Sequence, residues 1–263
     1  MQASAAQDRG VPDRGPAAYV AEFIGTFALV LFVTLVVSLF VAAPNPQTPG
    51  VEPFIDWSVI GLVHVFVLFA LIQTLAAASG AHFNPAVTAA MVALRQIKPP
   101  DAAIYIVAQL AGAVAGALVT KLLLNDFDNA DAVNFGATAI SEGKLNGEAF
   151  LGALAEGLGT FFLVWAIVGV AVNPRGAKEW AALTIGGTLG LLVMVIGPLT
   201  GAGFNPARWF GPALVSSEFG DFNDWLFAYV LAPLIGAVLA GVVYARVMMT
   251  EGKKGAEGME PVG

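Results

Sequence analysis

Apolar positions are gathered into six runs along the chain, at 17–43, 54–79, 102–124, 149–172, 180–198 and 225–249. Each is long enough to cross a bilayer as a helix, for which about 20 apolar residues suffice. Two shorter apolar runs, at 87–94 and 209–215, lie between the second and third long runs and after the fifth. The pattern predicts an all-α membrane protein with six transmembrane helices and two shorter helices.

One stretch, present twice, opens both short runs: Gly80-Ala-His-Phe-Asn84-Pro85-Ala86-Val and Gly201-Ala-Gly-Phe-Asn205-Pro206-Ala207-Arg208. Asn before Pro starts a helix, because the amide caps orphan N–H groups and the fixed φ of proline suits the first helical position. The helices are predicted over about 85–94 and 206–215. Roughly ten residues at 1.5 Å each cover about 15 Å, half of a hydrocarbon core about 30 Å thick. Both are half-membrane, re-entrant helices.

Composition agrees with the pattern. Of the 263 residues, 57% are hydrophobic and 12% charged, the latter about half the share of a soluble domain. The net charge of −7 comes mostly from loops and tails and argues against a nucleic-acid partner. There is no cysteine, hence no disulfide or thiolate metal site. The first long run exceeds a signal-peptide core and reads as an uncleaved span.

The spans repeat as well. Glu22-Phe-Ile-Gly25-Thr26-Phe27 in the first matches Glu156-Gly-Leu-Gly159-Thr160-Phe161 in the fourth, and Tyr105 to Gly112 in the third matches Tyr229 to Gly236 in the sixth. Each copy holds three crossings, an odd number, so the second enters the membrane from the opposite face. The expected organisation is a disordered cytoplasmic tail at 1–16, a first repeat at 17–124, an extracellular acidic connection at 125–147, an inverted second repeat at 148–249, and a disordered cytoplasmic tail at 250–263. Pro44, Pro46, Pro49 and Pro53 make the link between spans one and two a helix-hostile connection outside the membrane. A cytoplasmic N-terminus collects Arg9, Arg14, Arg95, Lys98, Arg175, Lys178, Arg246, Lys253 and Lys254 on that side, leaving Lys121, Lys144 and Arg208 for the other. That bias places both termini inside.

Inversion brings two capped helix starts together near the midplane. Non-helical backbone persists at that depth only if protein buries it or it lines a wet cavity. Gly80, Ala81, His82, Gly201, Ala202 and Gly203 are therefore expected to present carbonyls to a file of water. Each helix N-terminus contributes roughly half a positive charge, and the Asn84 and Asn205 amides aim donors at a passing oxygen. Cations are opposed there. Arg208, one turn into the second half-helix, is costly at that depth unless it faces water or acceptors, which favours a positive constriction over a snorkelling interfacial arginine. Glu22 and Glu156, equivalently placed, read as carboxylates that hold the N–H groups of the re-entrant loops; a proton relay is the alternative. Gly112, Gly116, Gly186 and Gly190 stand at the spacing of close helix crossings.

The paired Asn-Pro-Ala boxes, the repeated Glu-x-x-Gly-Thr-Phe and Phe210-Gly211-Pro212 after Arg208 make this chain resemble an aquaporin, a major intrinsic protein, over roughly residues 18–249. The resemblance implies a right-handed bundle, a passage in each protomer and a homotetramer. It places the four selectivity-filter positions on His64, Val193, Ala202 and Arg208, a set similar to the plant tonoplast type, which the family associates with water plus ammonia and sometimes urea or hydrogen peroxide. Water-selective members usually carry Phe, His, Cys or Thr, and Arg; glycerol channels carry Trp, Gly, Phe and Arg followed by Asp, where this chain has Trp209. By the same resemblance His82 braces the cytoplasmic mouth.

The reading is a passive channel for water and small neutral solutes in a lipid bilayer, with ammonia and hydrogen peroxide as further cargo and with no cofactor or metal. A glycerol or urea facilitator is the nearest alternative, and an alternating-access transporter the alternative class. No motif supplies a nucleophile and base, a metal cluster or a phosphate loop, so an enzyme is not expected. Short tails without organelle signals point to a prokaryotic plasma membrane.

Overall fold

The computed structural model describes residues 13–42 and 54–249. Most of the two expected tails, with Arg9, Lys253 and Lys254, and the connection carrying Pro44, Pro46, Pro49, Glu52 and Pro53 lie outside the described residues.

In chain order the elements are α1 Pro16–Leu39, β1 Val41–Ala42, β2 Phe54–Ile55, α2 Trp57–Ser79, α3 Pro85–Ala93, α4 Pro99–Leu123, the short α5 Asp128–Asp131 and α6 Glu142–Leu145, α7 Ala149–Ile167, α8 Ala181–Thr200, α9 Pro206–Ser216 and α10 Ala232–Val243. Wide, π-type turns lengthen α7 through Val172 and extend α10 at both ends, from Asp224 and to Met248. Six helices are thus long and apolar enough to cross a membrane, those built on α1, α2, α4, α7, α8 and α10. The half-helices α3 and α9 have 9 and 11 residues. The antiparallel pair β1–β2, unforeseen in the sequence, clips the start of the second run, and Asp56 then caps α2 by accepting from the Ser58 and Val59 amides at 3.1 and 3.2 Å.

Small residues set how the spans approach. A Cβ on Gly112 or Gly116 would strike the Phe23 or Phe27 carbonyl of α1, and one on Gly186 would strike the Val65 carbonyl of α2. Bare backbone at these points lets α4 lie against α1 and α8 against α2, the close contact that drives helix association where lipid removes the hydrophobic incentive. A third crossing, Gly236 on the Gly157 carbonyl, joins α10 to α7. Large apolar side chains such as Phe66, Val107, Phe150 and Val195 point outward, as a lipid-facing surface requires.

Both ends of the chain's helical body lie on one side of the bundle, called here the terminal side: Arg14 meets Asp101 at the start of α4, and Arg175 donates to the Met248 carbonyl. The loop between α4 and α7 lies on the far side, where Lys121 reaches the Val215 carbonyl at the end of α9. Residues 13–15, expected within a disordered tail, are instead held against α4.

Candidate functional site

Each long helix before a box ends in a left-handed glycine, Gly80 at φ 87° and Gly201 at φ 76°. In both copies two further residues take positive φ, Ala81 and Phe83 at 54° and 49°, and Ala202 and Phe204 at 52° and 52°. Such a chain of left-handed residues forms no helix or strand, so its amides need partners. A buried carboxylate provides them. Glu22 accepts from the His82 and Phe83 amides at 2.9 and 2.7 Å, and Glu156 accepts from those of Gly203 and Phe204. Both carboxylates are fully buried behind the loops. The tyrosines complete the frame: the Tyr105 hydroxyl donates to the Ser79 carbonyl and the Tyr229 hydroxyl to that of Thr200, each at 2.8 Å.

Held this way, the two asparagines meet. Asn84 Oδ1 accepts from the Ala86 amide at 2.8 Å, and Asn205 Oδ1 from Ala207 and Arg208 at 3.0 and 3.3 Å, so both cap their helices. Their amide nitrogens are crossed: Asn84 Nδ2 donates to the Phe204 carbonyl at 2.8 Å and Asn205 Nδ2 to the Phe83 carbonyl at 2.9 Å. The exchange fastens the two helix starts together and uses one N–H of each amide. One N–H of each remains for a passing acceptor, half the donor capacity the sequence alone implies.

A cavity of about 460 Å³ runs past this junction. It takes in Arg14, Gln73, Gln96 and Lys178 on the terminal side, Gly80, Ala81, His82, Ala202 and Gly203 from the loops, both asparagines, and His64 and Arg208. Apolar Leu29, Val33, Leu68, Leu163, Ile185 and Leu189 form much of the remaining wall. Gly201 and Val193 are not among its lining residues; Val193 is wholly buried in the same apolar cluster as Ala202 and Phe204. Pro85, Ala86, Pro206 and Ala207 are buried in the half-helices and set the direction of the caps.

Arg208 does not snorkel: it is 4% exposed, and its Nη1 donates to the Gly136 carbonyl at 2.8 Å. Its Nε has no partner among the described residues. The acceptor comes from the acidic loop, where Asn134, Phe135 and Gly136 all take positive φ and turn that carbonyl inward. Sequence reasoning did not find Gly136; an Asn-x-Gly turn is the only local sign of it. His64 Nδ1 lies 2.8 Å from the Ile60 carbonyl, which can only accept, so neutral His64 carries its proton on Nδ1 and keeps Nε2 as an acceptor. Two further residues went unforeseen, Thr88 and Gln109. Gln109 Nε2 donates to Glu22 at 2.8 Å and to the Thr88 hydroxyl at 3.0 Å, and His82 Nδ1 lies 3.1 Å from that hydroxyl.

Six crossings around two half-helices joined cap to cap, with a cavity beside the junction, define a membrane channel of the re-entrant type. The chain belongs to the major intrinsic protein family, whose description its residues 15–244 match. It is 39% identical over 236 residues to Aquaporin AqpM of Methanothermobacter thermautotrophicus, covering 86% of this chain and 94% of that protein. Glycerol uptake facilitator protein-like 6 of Lactiplantibacillus plantarum is 36% identical, covering 89% and 98%. In fold, the X-ray structure of the aquaglyceroporin from Plasmodium falciparum superposes with a TM-score of 0.75 at 23% identity, covering 90% of this chain and 98% of that one. The protein is a multi-pass membrane channel for water or small solutes, and not an enzyme.

Proposed function

We propose that water and small neutral solutes pass in single file between the two half-helix starts, with ions and protons refused there and at Arg208. The observation that carries this reading is the crossed pair Asn84–Phe204 and Asn205–Phe83, which holds two positive helix ends against one wall of the cavity. A neutral oxygen gains a hydrogen bond from the remaining amide N–H groups, whereas a cation meets both helix ends and the arginine. The Gly80, Ala81, His82, Ala202 and Gly203 stretches supply acceptors along the same wall. The filter consists of His64, Ala202 and Arg208, with Val193, the fourth expected position, buried in the same apolar cluster as Ala202. Small Ala202 leaves room that favours ammonia and hydrogen peroxide as additional cargo, and the bacterial glycerol facilitator among the relatives keeps glycerol or urea as the second reading.

The Lys/Arg bias supports a cytoplasmic terminal side, archaeal relatives support a prokaryotic plasma membrane, and the family resemblance supports a homotetramer. Stopped-flow light scattering on proteoliposomes, comparing water, ammonia, urea and glycerol, tests the reading. The wild type is expected to carry water faster than glycerol. Arg208→Ala is expected to raise urea and glycerol flux and admit ions. Saturable flux that depends on a sodium or proton gradient would contradict a passive channel.

A further inference from the structure

Arg14 lines the terminal-side end of the cavity that also holds Asn84 and Arg208, and no role has yet been given to it. The short segment that carries it is tied down at several points. The Arg14 amide donates to Asp101 Oδ2 at 3.2 Å, and the Tyr19 hydroxyl lies 3.1 Å from the Arg14 carbonyl and 2.6 Å from Asp101 Oδ1. Next to it, Asp13 pairs with Lys98 at 2.6 Å. Lys98 and Asp101 stand at the start of α4, and Tyr19 in the first turn of α1. They hold the main chain of Arg14 and leave its side chain free to point inward. The guanidinium reaches the mouth of the first re-entrant loop, where Nη2 would lie 3.9 Å from a Cβ placed on Gly80 and His82 Nε2 3.6 Å from the same point. Among the described residues no carboxylate pairs with it, and its Nε is buried without a hydrogen-bond partner.

A surface arginine would extend into water and satisfy its donors there. One whose main chain is held and whose buried Nε has no partner among the described residues keeps a donor for what the cavity contains. Resting on the passage proposed above, we infer that Arg14 forms a second cationic constriction at the terminal-side mouth and so helps determine which solutes enter. Arg208 and Arg14 then stand toward opposite ends of one file, with the asparagine junction between them. The two differ in mounting. Arg208 is fixed by a half-helix and the Gly136 carbonyl, whereas Arg14 is held by a strap whose ion pair is exposed, with side chains of Lys98 and Asp13 42% and 82% accessible.

The chain has no cysteine, which permits a direct test. Full-length Arg14→Cys in proteoliposomes is expected to raise urea flux relative to water, on the order of threefold to tenfold for loss of one charged constriction residue. Treatment with a cationic methanethiosulfonate from the terminal side is expected to lower urea flux again, whereas a neutral methyl adduct leaves it raised. Asp101→Asn, which loosens the strap, is expected to raise the ratio in the same direction and to add little in combination with Arg14→Cys. An Arg14→Cys protein with wild-type urea and water flux, indifferent to both reagents, would overturn the inference. So would an Asp101→Asn protein that loses thermal stability with flux per folded protein unchanged, since the strap would then be structural. Wild-type water flux at the lipid background would instead defeat the channel reading itself, so the two failures are distinguishable.

Discussion

The two re-entrant halves are built on one frame and finished differently. In the first, Glu22 holds the loop, the Phe83 ring lies where a Cβ on Gly25 would be, and Tyr105 ties down the end of α2; in the second, Glu156, Phe204 on Gly159 and Tyr229 do the same for the end of α8. Four positions that break the match set the halves apart: His82 in the first copy corresponds to Gly203 in the second, Val87 to Arg208, Thr88 to Trp209 and Gln109 to Pro233. The first half therefore carries a buried polar cluster, His82–Thr88–Gln109–Glu22, whereas the second stacks Trp209 between Trp225 at 5.9 Å and Tyr229 at 6.1 Å. Thr200, at the position Ser79 holds in the first copy, donates to Glu156 at 2.6 Å, and Gln109 is the donor to Glu22 that the second half lacks. What is shared places the two helix starts; what differs is mostly the packing behind each of them, polar in the first half and aromatic in the second.

The shared frame yields the largest expected effects. Each carboxylate oxygen of Glu22 and of Glu156 faces a main-chain N–H. Glu22→Gln and Glu156→Gln must each set an NH₂ group against one of them, at a cost of about 1–3 kcal/mol. Similar downward shifts of the unfolding transition in detergent are expected for the two variants; an effect confined to one would break the equivalence. Next come Gly25→Ala and Gly159→Ala, whose new methyl groups meet the Phe83 and Phe204 rings, with an overpacking cost of about 1–3 kcal/mol. Reduced stability together with reduced water flux is expected of both, because the rings sit one residue before the asparagines.

The finishing residues separate the halves. Thr88→Val leaves Gln109 and His82 without the hydroxyl they share, about 1–3 kcal/mol for a buried donor left unpaired. Trp209→Phe removes an indole N–H that has no partner among the described residues and keeps an aromatic ring in the stack, so a smaller stability change is expected, under about 1.5 kcal/mol. Calorimetry or a thermal-shift series orders the pair. A larger loss from Trp209→Phe would mean that the stack, and not the carboxylate frame, holds the second loop.

Much of this frame is written locally. Asn-Pro starts, the apolar run lengths and the Glu-x-x-Gly-Thr-Phe repeat each depend on near neighbours, so both asparagines, both carboxylates and the half-helices were legible in the sequence. Helix ends were less so: the third run begins at Pro99 rather than 102, because two prolines are tolerated in a first turn. Contacts made across the fold were not legible. Gly136 has no side chain to mark it as the acceptor for Arg208, and Thr88 and Gln109 read as ordinary helical residues until α3 packs on α4. The stack that accounts for Trp209 needs Trp225 and Tyr229, brought in from another span. Arg14 read as one charge among several in a polar tail, because only the position of Asp101 makes the strap.

The central claim is that two helix starts, fastened by crossed asparagine amides, let neutral molecules through and hold charge back. Water flux and electrical conductance measured on the same proteoliposomes, under an osmotic step and then an imposed potential, test it most directly. The account predicts osmotic flux that scales with protein per vesicle while current stays at the lipid background. Ion or proton current that grows in proportion to water flux would contradict it.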